Sequence, residues 1–125
     1  MKYLKYFENL DELTPEKIKE MFLDISDIDW QVQVLKTSEL KQDENNGTNF
    51  NFNLVDFFKV RIFKVYESRR WEIEQKKEIN NLLNSDTFNE IIEVANERLN
   101  DFGWFIDMNT LSTEFSIITF NIYRY

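Results

Sequence analysis

The 125-residue sequence contains no cysteine and no histidine. Without cysteine the chain can form no disulfide, no thiolate metal site and no thiol nucleophile, and it suits a reducing compartment. Without histidine it lacks the commonest general base near neutral pH and the commonest ligand of transition metals. Serine–histidine catalytic triads and histidine zinc sites are therefore excluded by composition.

Glycine and proline are also scarce, with two glycines and one proline in the whole chain. A phosphate-binding loop of the P-loop or dinucleotide-binding type needs more glycines than that, so both classes of site are excluded. The clearest loop is the polar stretch 41–49, whose Asn-Gly pair ending at Gly47 is typical of a hairpin connection. We therefore expect neither a cofactor nor a bound metal.

Long apolar runs are missing as well. The opening residues are charged and amphipathic, and no stretch reaches the length of a signal peptide or a membrane span. This pattern predicts a soluble, cytoplasmic protein that does not bind a membrane.

The charge is mainly of one sign, with a net value of −8, but its distribution is uneven. Residues 49–77 carry seven basic and four acidic side chains, so the excess of acid lies elsewhere in the chain. A phosphate backbone would meet mostly like charge, which argues against direct nucleic-acid binding. A protein partner with a basic or nucleic-acid-binding surface fits this acidic protein better.

What the chain does contain is apolar and aromatic material, including twelve Phe, five Tyr and three Trp. That content and the length predict a single folded domain over residues 1–125. A helical period runs through residues 3–10 and again through residues 15–25. Thr14 is a good N-cap for the second helix, and Pro15 suits its first position.

Alternation of apolar and polar residues predicts strands over residues 28–34 and 50–62. The alternation changes phase after Ile62, which predicts a bulge or bend there. Asp56 lies in the apolar phase, so a break at that residue is an alternative. Residues 67–84 are ambiguous, because they begin with a strand-like pattern and end with a helical one.

The strongest helical pattern covers residues 87–102, with Thr87 and Glu90 at capping-box spacing and Gly103 at the C-cap position. After it, the pattern predicts a strand, a turn near residues 109–113 and a last strand over residues 115–123. That last strand is apolar on both faces, which favours a central position in the sheet.

This order predicts an α+β fold. We expect a sheet of about four antiparallel strands with two or three helices packed on one face, arranged in what could be two α-β-β units. The residues in phase with the apolar stripes should be mostly buried: Trp30, Phe88, Ile92, Leu99, Trp104, Ile118 and Phe120.

The candidate partner-binding surface is the polar side of the predicted helix 87–102. Its acidic residues recur every three or four positions and so share one side of a helix. We call this side the acidic face, and it consists of Asp86, Glu90, Glu93, Glu97 and Asp101. The alternative interpretation is an ordinary solvated helix surface in an acidic protein.

A second candidate surface is basic, and arginines beside a tryptophan could bind carboxylates or stack on bases. We call it the basic corner, and it consists of Lys59, Arg61, Arg69, Arg70 and Trp71. An RNA-binding sheet would show exposed aromatics among such charges, whereas most of the nearby aromatics fall in the apolar phase. The alternatives are charge balance within the domain and pairing with the acidic helix of a second copy, and the second alternative implies a homo-oligomer.

Asp56 followed by Glu74-Gln75-Lys76 imitates the acid and acid-x-lysine pattern of metal-dependent nucleases. In a chain with 30% charged residues such spacing arises by chance, and a solvated strand edge explains it as well. A small metal-dependent nuclease is therefore the third hypothesis for function.

Residues 1–8 read Met-Lys-x-Leu-Lys-x-Phe-Glu, which resembles the start of many small accessory proteins of A+T-rich tailed bacteriophages. The resemblance implies a protein that inhibits host machinery or is a minor part of the virion. The sequence thus predicts a non-enzymatic protein-binding module, such as an inhibitor or anti-defence protein that presents an acidic surface to a basic host protein. A structural component of a virion or other assembly is the alternative.

Overall fold

The computed structural model of the protein describes residues 12–26, 30–42, 52–64 and 72–125. The helices are α1 (Pro15–Met21), α2 (Leu23–Ser26), α3 (Glu72–Leu83) and α4 (Asp86–Asp101). The strands are β1 (Gln31–Gln42), β2 (Phe52–Phe63), β3 (Trp104–Ser112) and β4 (Ile118–Arg124), with a 3-10 turn at Glu114–Ser116. The predicted α+β class is confirmed. The helix predicted over residues 3–10 lies outside the described residues.

The four strands form one antiparallel sheet in the order β1-β2-β4-β3. Each half of the chain contributes helices followed by two adjacent strands, and the halves meet where β2 pairs with β4. This layout matches two α-β-β units. The predicted central position of the last strand is confirmed, since β4 lies between β2 and β3.

Strand β2 is regular along its whole length. It pairs with β1 without a register shift from Phe52 to Phe63, so the predicted bend near Ile62 and the alternative break at Asp56 are both wrong. The apparent change of phase has another cause. Phe63 stays on the side of the strand that faces away from the helices, where it is half-buried.

The helix predicted over residues 15–25 is interrupted. Thr14 caps it as expected, since its Oγ1 accepts a hydrogen bond from the Lys17 amide at 3.3 Å. Helix α1 then ends at Met21, because Phe22 leaves the helical conformation with φ −110° and ψ 18°, and α2 resumes one residue later. Phe22 is fully buried, so the break lies against the core.

Helix α4 begins at Asp86, and its cap is Ser85. The Ser85 Oγ accepts a hydrogen bond from the Phe88 amide at 3.1 Å. The predicted capping box at Thr87 and Glu90 is therefore wrong, because both residues already lie inside the helix. Both serine and threonine can cap, and spacing alone could not distinguish them.

The ambiguous segment is helical from Glu72 onward, as α3, and residues 65–71 lie outside the described residues. The first strand is longer than predicted and reaches Gln42, so only part of the predicted loop 41–49 can be compared. Strand β3 likewise extends into the predicted turn. Its pairing with β4 becomes irregular between Asp107 and Ser112.

The described helices pack on one face of the sheet, and the core lies between the two layers. The predicted core residues are buried, except that Ile92 is only partly buried against the others. The opposite face is called the open face below, because none of its described residues on β1, β2 and β4 belongs to the core cluster.

Gly103 connects α4 to β3 with φ +84°, a conformation that L side chains rarely adopt. A Cβ placed there would meet no atom within 4 Å, so only backbone strain opposes a side chain. We expect Gly103→Ala to lower the free energy of unfolding by about 1–2 kcal/mol.

The control is Gly103→Asn, which should cost less, because asparagine tolerates a positive φ better than alanine. Urea unfolding of both variants tests the account. Equal losses for alanine and asparagine would show that backbone strain at this residue is not the cause.

Candidate protein-binding surface

Helix α4 is oriented by its buried side and by two hydrogen bonds. Phe88, Ile91, Ala95 and Leu99 are buried against the sheet and the other helices. The Asn96 Oδ1 accepts a hydrogen bond from the Ile106 amide at 2.9 Å. These contacts hold the opposite side of α4 toward solvent.

A further bond fixes the end of this helix, since the Tyr125 hydroxyl donates to the Asn100 Oδ1 at 2.7 Å. All five side chains of the acidic face, from Asp86 to Asp101, are exposed. At about 1.5 Å per residue the face is roughly 22 Å long. Among the described residues, none forms an ion pair or a hydrogen bond with these five carboxylates.

The acidic face also has an apolar neighbour that the sequence reasoning missed. Val94 is 53% exposed and lies beside Glu90 and Glu97 on the helix surface, four and three residues away. Arg98 is the basic residue in the last turn of α4. The surface therefore offers a partner a row of carboxylates and one apolar contact point.

The structure describes only part of the predicted basic corner. Lys59 and Arg61 lie on β2 between residues that point into the core, so both face the open side of the sheet. Arg69, Arg70 and Trp71 lie outside the described residues. The acidic face and these two cations are therefore on opposite sides of the two-layer fold.

An aromatic cluster, also missed by the sequence reasoning, lies on the open face beside these cations. We call it the aromatic row, and it consists of Phe57, Tyr123, Phe105 and Tyr125. Ring centroids are 5.3 Å apart for Phe57 and Tyr123, 6.4 Å for Tyr123 and Phe105, and 4.9 Å for Phe105 and Tyr125. The four rings thus form a continuous chain across β2, β4 and β3 and beyond the end of β4.

The nuclease-like residues are not brought together. Asp56 accepts a hydrogen bond from the Ser38 hydroxyl at 2.7 Å, near the start of β2. Helix α3 lies at the other end of β2, where Glu78 pairs with Lys64 at 3.8 Å. Eight residues of strand, about 26 Å, separate Asp56 from Lys64, whereas Glu74 is only about one helical turn from Glu78.

Within the described ranges, no group of three or more acidic side chains is placed to hold a metal ion. A cavity of about 600 Å³ does lie at the Asp56 end of the sheet. Lys36 and Arg124 line it together with Asp56, and the Arg124 guanidinium lies 4.8 Å from the centre of the Trp104 ring. Its lining carries both signs of charge and comes from all four strands, so no local sequence motif marks it.

No helix in the described part of the chain is long and apolar enough to cross a membrane. No protein-family model, curated protein or solved structure matches the chain.

Proposed function

We propose that the protein is a non-enzymatic protein-binding module that presents the acidic face of α4 to a basic partner. The observation that carries the proposal is the row of five exposed carboxylates without an ion-pair partner among the described residues. The resemblance of the first residues to phage accessory proteins favours an inhibitor or anti-defence protein that acts in the host cytoplasm.

The acidic face works against the stability of its own helix. Like charges three or four residues apart destabilise a helix by about 0.2–0.5 kcal/mol per pair, and the face contains four successive pairs of this kind. A basic partner would relieve this repulsion on binding. The five carboxylates therefore lower the stability of the free helix, and they strengthen its attraction for a basic partner.

The chemistry of the partner follows from the surface. A row of carboxylates about 22 Å long attracts lysine and arginine side chains, as nucleic-acid phosphates do. Val94, exposed beside the row, adds an apolar contact. A protein whose own surface binds nucleic acid has the required charge and would be blocked by this contact.

The test neutralises the middle of the face with the triple variant Glu90→Gln, Glu93→Gln and Glu97→Gln. At about 0.5 kcal/mol for each exposed ion pair lost, the affinity for a basic partner should fall roughly tenfold. The weakened binding should also depend less on salt, because fewer charge contacts remain. The melting temperature should stay equal or rise slightly, since repulsion within α4 is removed.

The matched control is Glu12→Gln, Glu16→Gln and Glu20→Gln, which removes the same charge from exposed positions at and before α1. Binding to a partner captured from host lysate should survive in the control and weaken in the α4 variant. Equal weakening in both would show that net charge, rather than the acidic face, attracts the partner. Unchanged binding in the α4 variant would contradict the proposed surface.

A further inference from the structure

The open face of the sheet alternates rings and cations along one strand. On β2, Phe57, Lys59, Arg61 and Phe63 are successive residues on that face, about 6.6 Å apart. We propose that the open face binds single-stranded nucleic acid. Bases would stack on the aromatic row, and Lys59 and Arg61 would contact phosphates.

The exposed ring surface of the aromatic row lies mainly at its Tyr125 end. Phe57 is only 7% exposed, Tyr123 and Phe105 are half-buried, and Tyr125 is 75% exposed. Rings held at one edge by the sheet lose little freedom when a base covers them. Stacking on such rings accepts any base, so this surface should show little sequence preference.

The two cations are placed and available for phosphates. Lys59 and Arg61 are half-buried, and no described residue forms an ion pair or a hydrogen bond with either one. Lys59 is paired across the strands with Asn121, which is two residues before Tyr123. The cations therefore lie directly beside the row of rings. The phosphates of a strand whose bases stack on these rings would be within reach of both cations.

The net charge of −8 does not prevent this binding, because most of the acid lies elsewhere. The thickness of α4, about 10–12 Å, and the sheet separate the acidic face from Lys59, Arg61 and Phe57, whereas Tyr125 at the end of the row lies closer, since its hydroxyl bonds to Asn100 of α4. That distance exceeds the Debye length of about 8 Å at physiological ionic strength. Among the described residues of the open face, Glu39 and Asp107 offset the charges of Lys59 and Arg61, so stacking should supply most of the affinity.

Besides the net charge, the sequence offered a second reason for discounting nucleic acid, and the structure removes it. That reason was that the aromatics near the basic residues belong to the core phase. Phe58 does so, but Phe57 and Phe63 lie on the open face with the cations. Tyr123 and Phe105 join them from strands more than forty residues away in sequence.

The test measures the fluorescence anisotropy of labelled oligo(dT) and oligo(U) with the full chain over a range of salt concentrations. Two phosphate contacts predict a slope of log K against log salt of about −1.4. Lys59→Gln with Arg61→Gln should weaken binding and bring the slope close to zero. Phe105→Leu, which removes a ring but keeps apolar volume, should weaken binding about fivefold or more.

Tyr125→Leu is a second ring variant at an exposed position, and its control is Tyr125→Phe, which keeps the ring but loses the hydrogen bond to Asn100. The difference between these two variants reports on stacking even if Phe105→Leu disturbs the fold. The α4 triple glutamine variant is the control for the opposite side and should bind both oligonucleotides as the wild type does. Preference for oligo(U) would identify RNA as the ligand, and equal binding or preference for oligo(dT) would include DNA.

Three results would overturn the inference. They are the absence of saturable binding at low salt, unchanged binding after the Lys59 and Arg61 substitutions, and equal competition by duplex DNA, whose bases are not free to stack. None of them bears on the acidic face, so the two proposals can fail separately.

Discussion

Replacing Leu99 with alanine should lower the free energy of unfolding by about 2–5 kcal/mol. Leu99 is fully buried in α4 and belongs to the core cluster between the helices and the sheet. Removing its branched end takes away buried apolar contacts and leaves a cavity that the surrounding side chains can fill only in part. Urea unfolding followed by circular dichroism measures the loss.

Val94→Ala is the matched control on the same helix, because Val94 is 53% exposed. Its effect on stability should stay within about 0.5 kcal/mol. Similar losses at Leu99 and Val94 would mean that α4 does not pack through the side that contains Leu99. The orientation of the acidic face toward solvent would then be wrong as well.

Phe58→Ala should be at least as damaging, with a loss of about 3–5 kcal/mol. Phe58 lies on the central strand β2, is 1% exposed, and its ring centre is 4.9 Å from that of Trp104. The substitution removes a whole ring from the middle of the core and the aromatic contact with it. Because Trp104 loses its neighbour, the tryptophan fluorescence of the folded state should change too.

The control for this substitution is Phe115→Ala, since Phe115 is 90% exposed in the turn before β4. The same chemical change there should alter stability by no more than about 0.5 kcal/mol. A loss at Phe58 as small as the one expected at Phe115 would place the core on the other face of the sheet, since neighbouring residues of a strand point to opposite faces. The open face and its aromatic row would then need to be reassigned.

The two candidate surfaces differ in how far the sequence could predict them. The acidic face was predicted residue by residue, because its members repeat at helical spacing within one element and all five lie exposed on α4. The aromatic row could not be predicted in this way. Its rings come from β2, β3, β4 and the residue after β4, and only the register of those strands brings them together.

Errors in the predicted elements have a similar origin. The bend expected near Ile62 rested on the assumption that a phenylalanine belongs in the core, and the capping box at Thr87 rested on spacing alone. In the structure Phe63 lies on the open face and Ser85 supplies the cap. Both alternatives satisfy the local chemistry equally well, so the surrounding fold decides between them.

The sequence by itself determined the α+β class, the amphipathic helix α4, the burial of residues such as Leu99 and Trp104, and the exclusion of histidine and cysteine chemistry. These properties depend on composition and on periods of two or 3.6 residues, which are local. The tertiary structure alone decided the strand order, the side of the sheet that the helices cover and the position of Lys59 beside the aromatic row. A strand's alternation defines two faces without saying which one is covered, and pairing between distant strands depends on contacts that no local pattern contains.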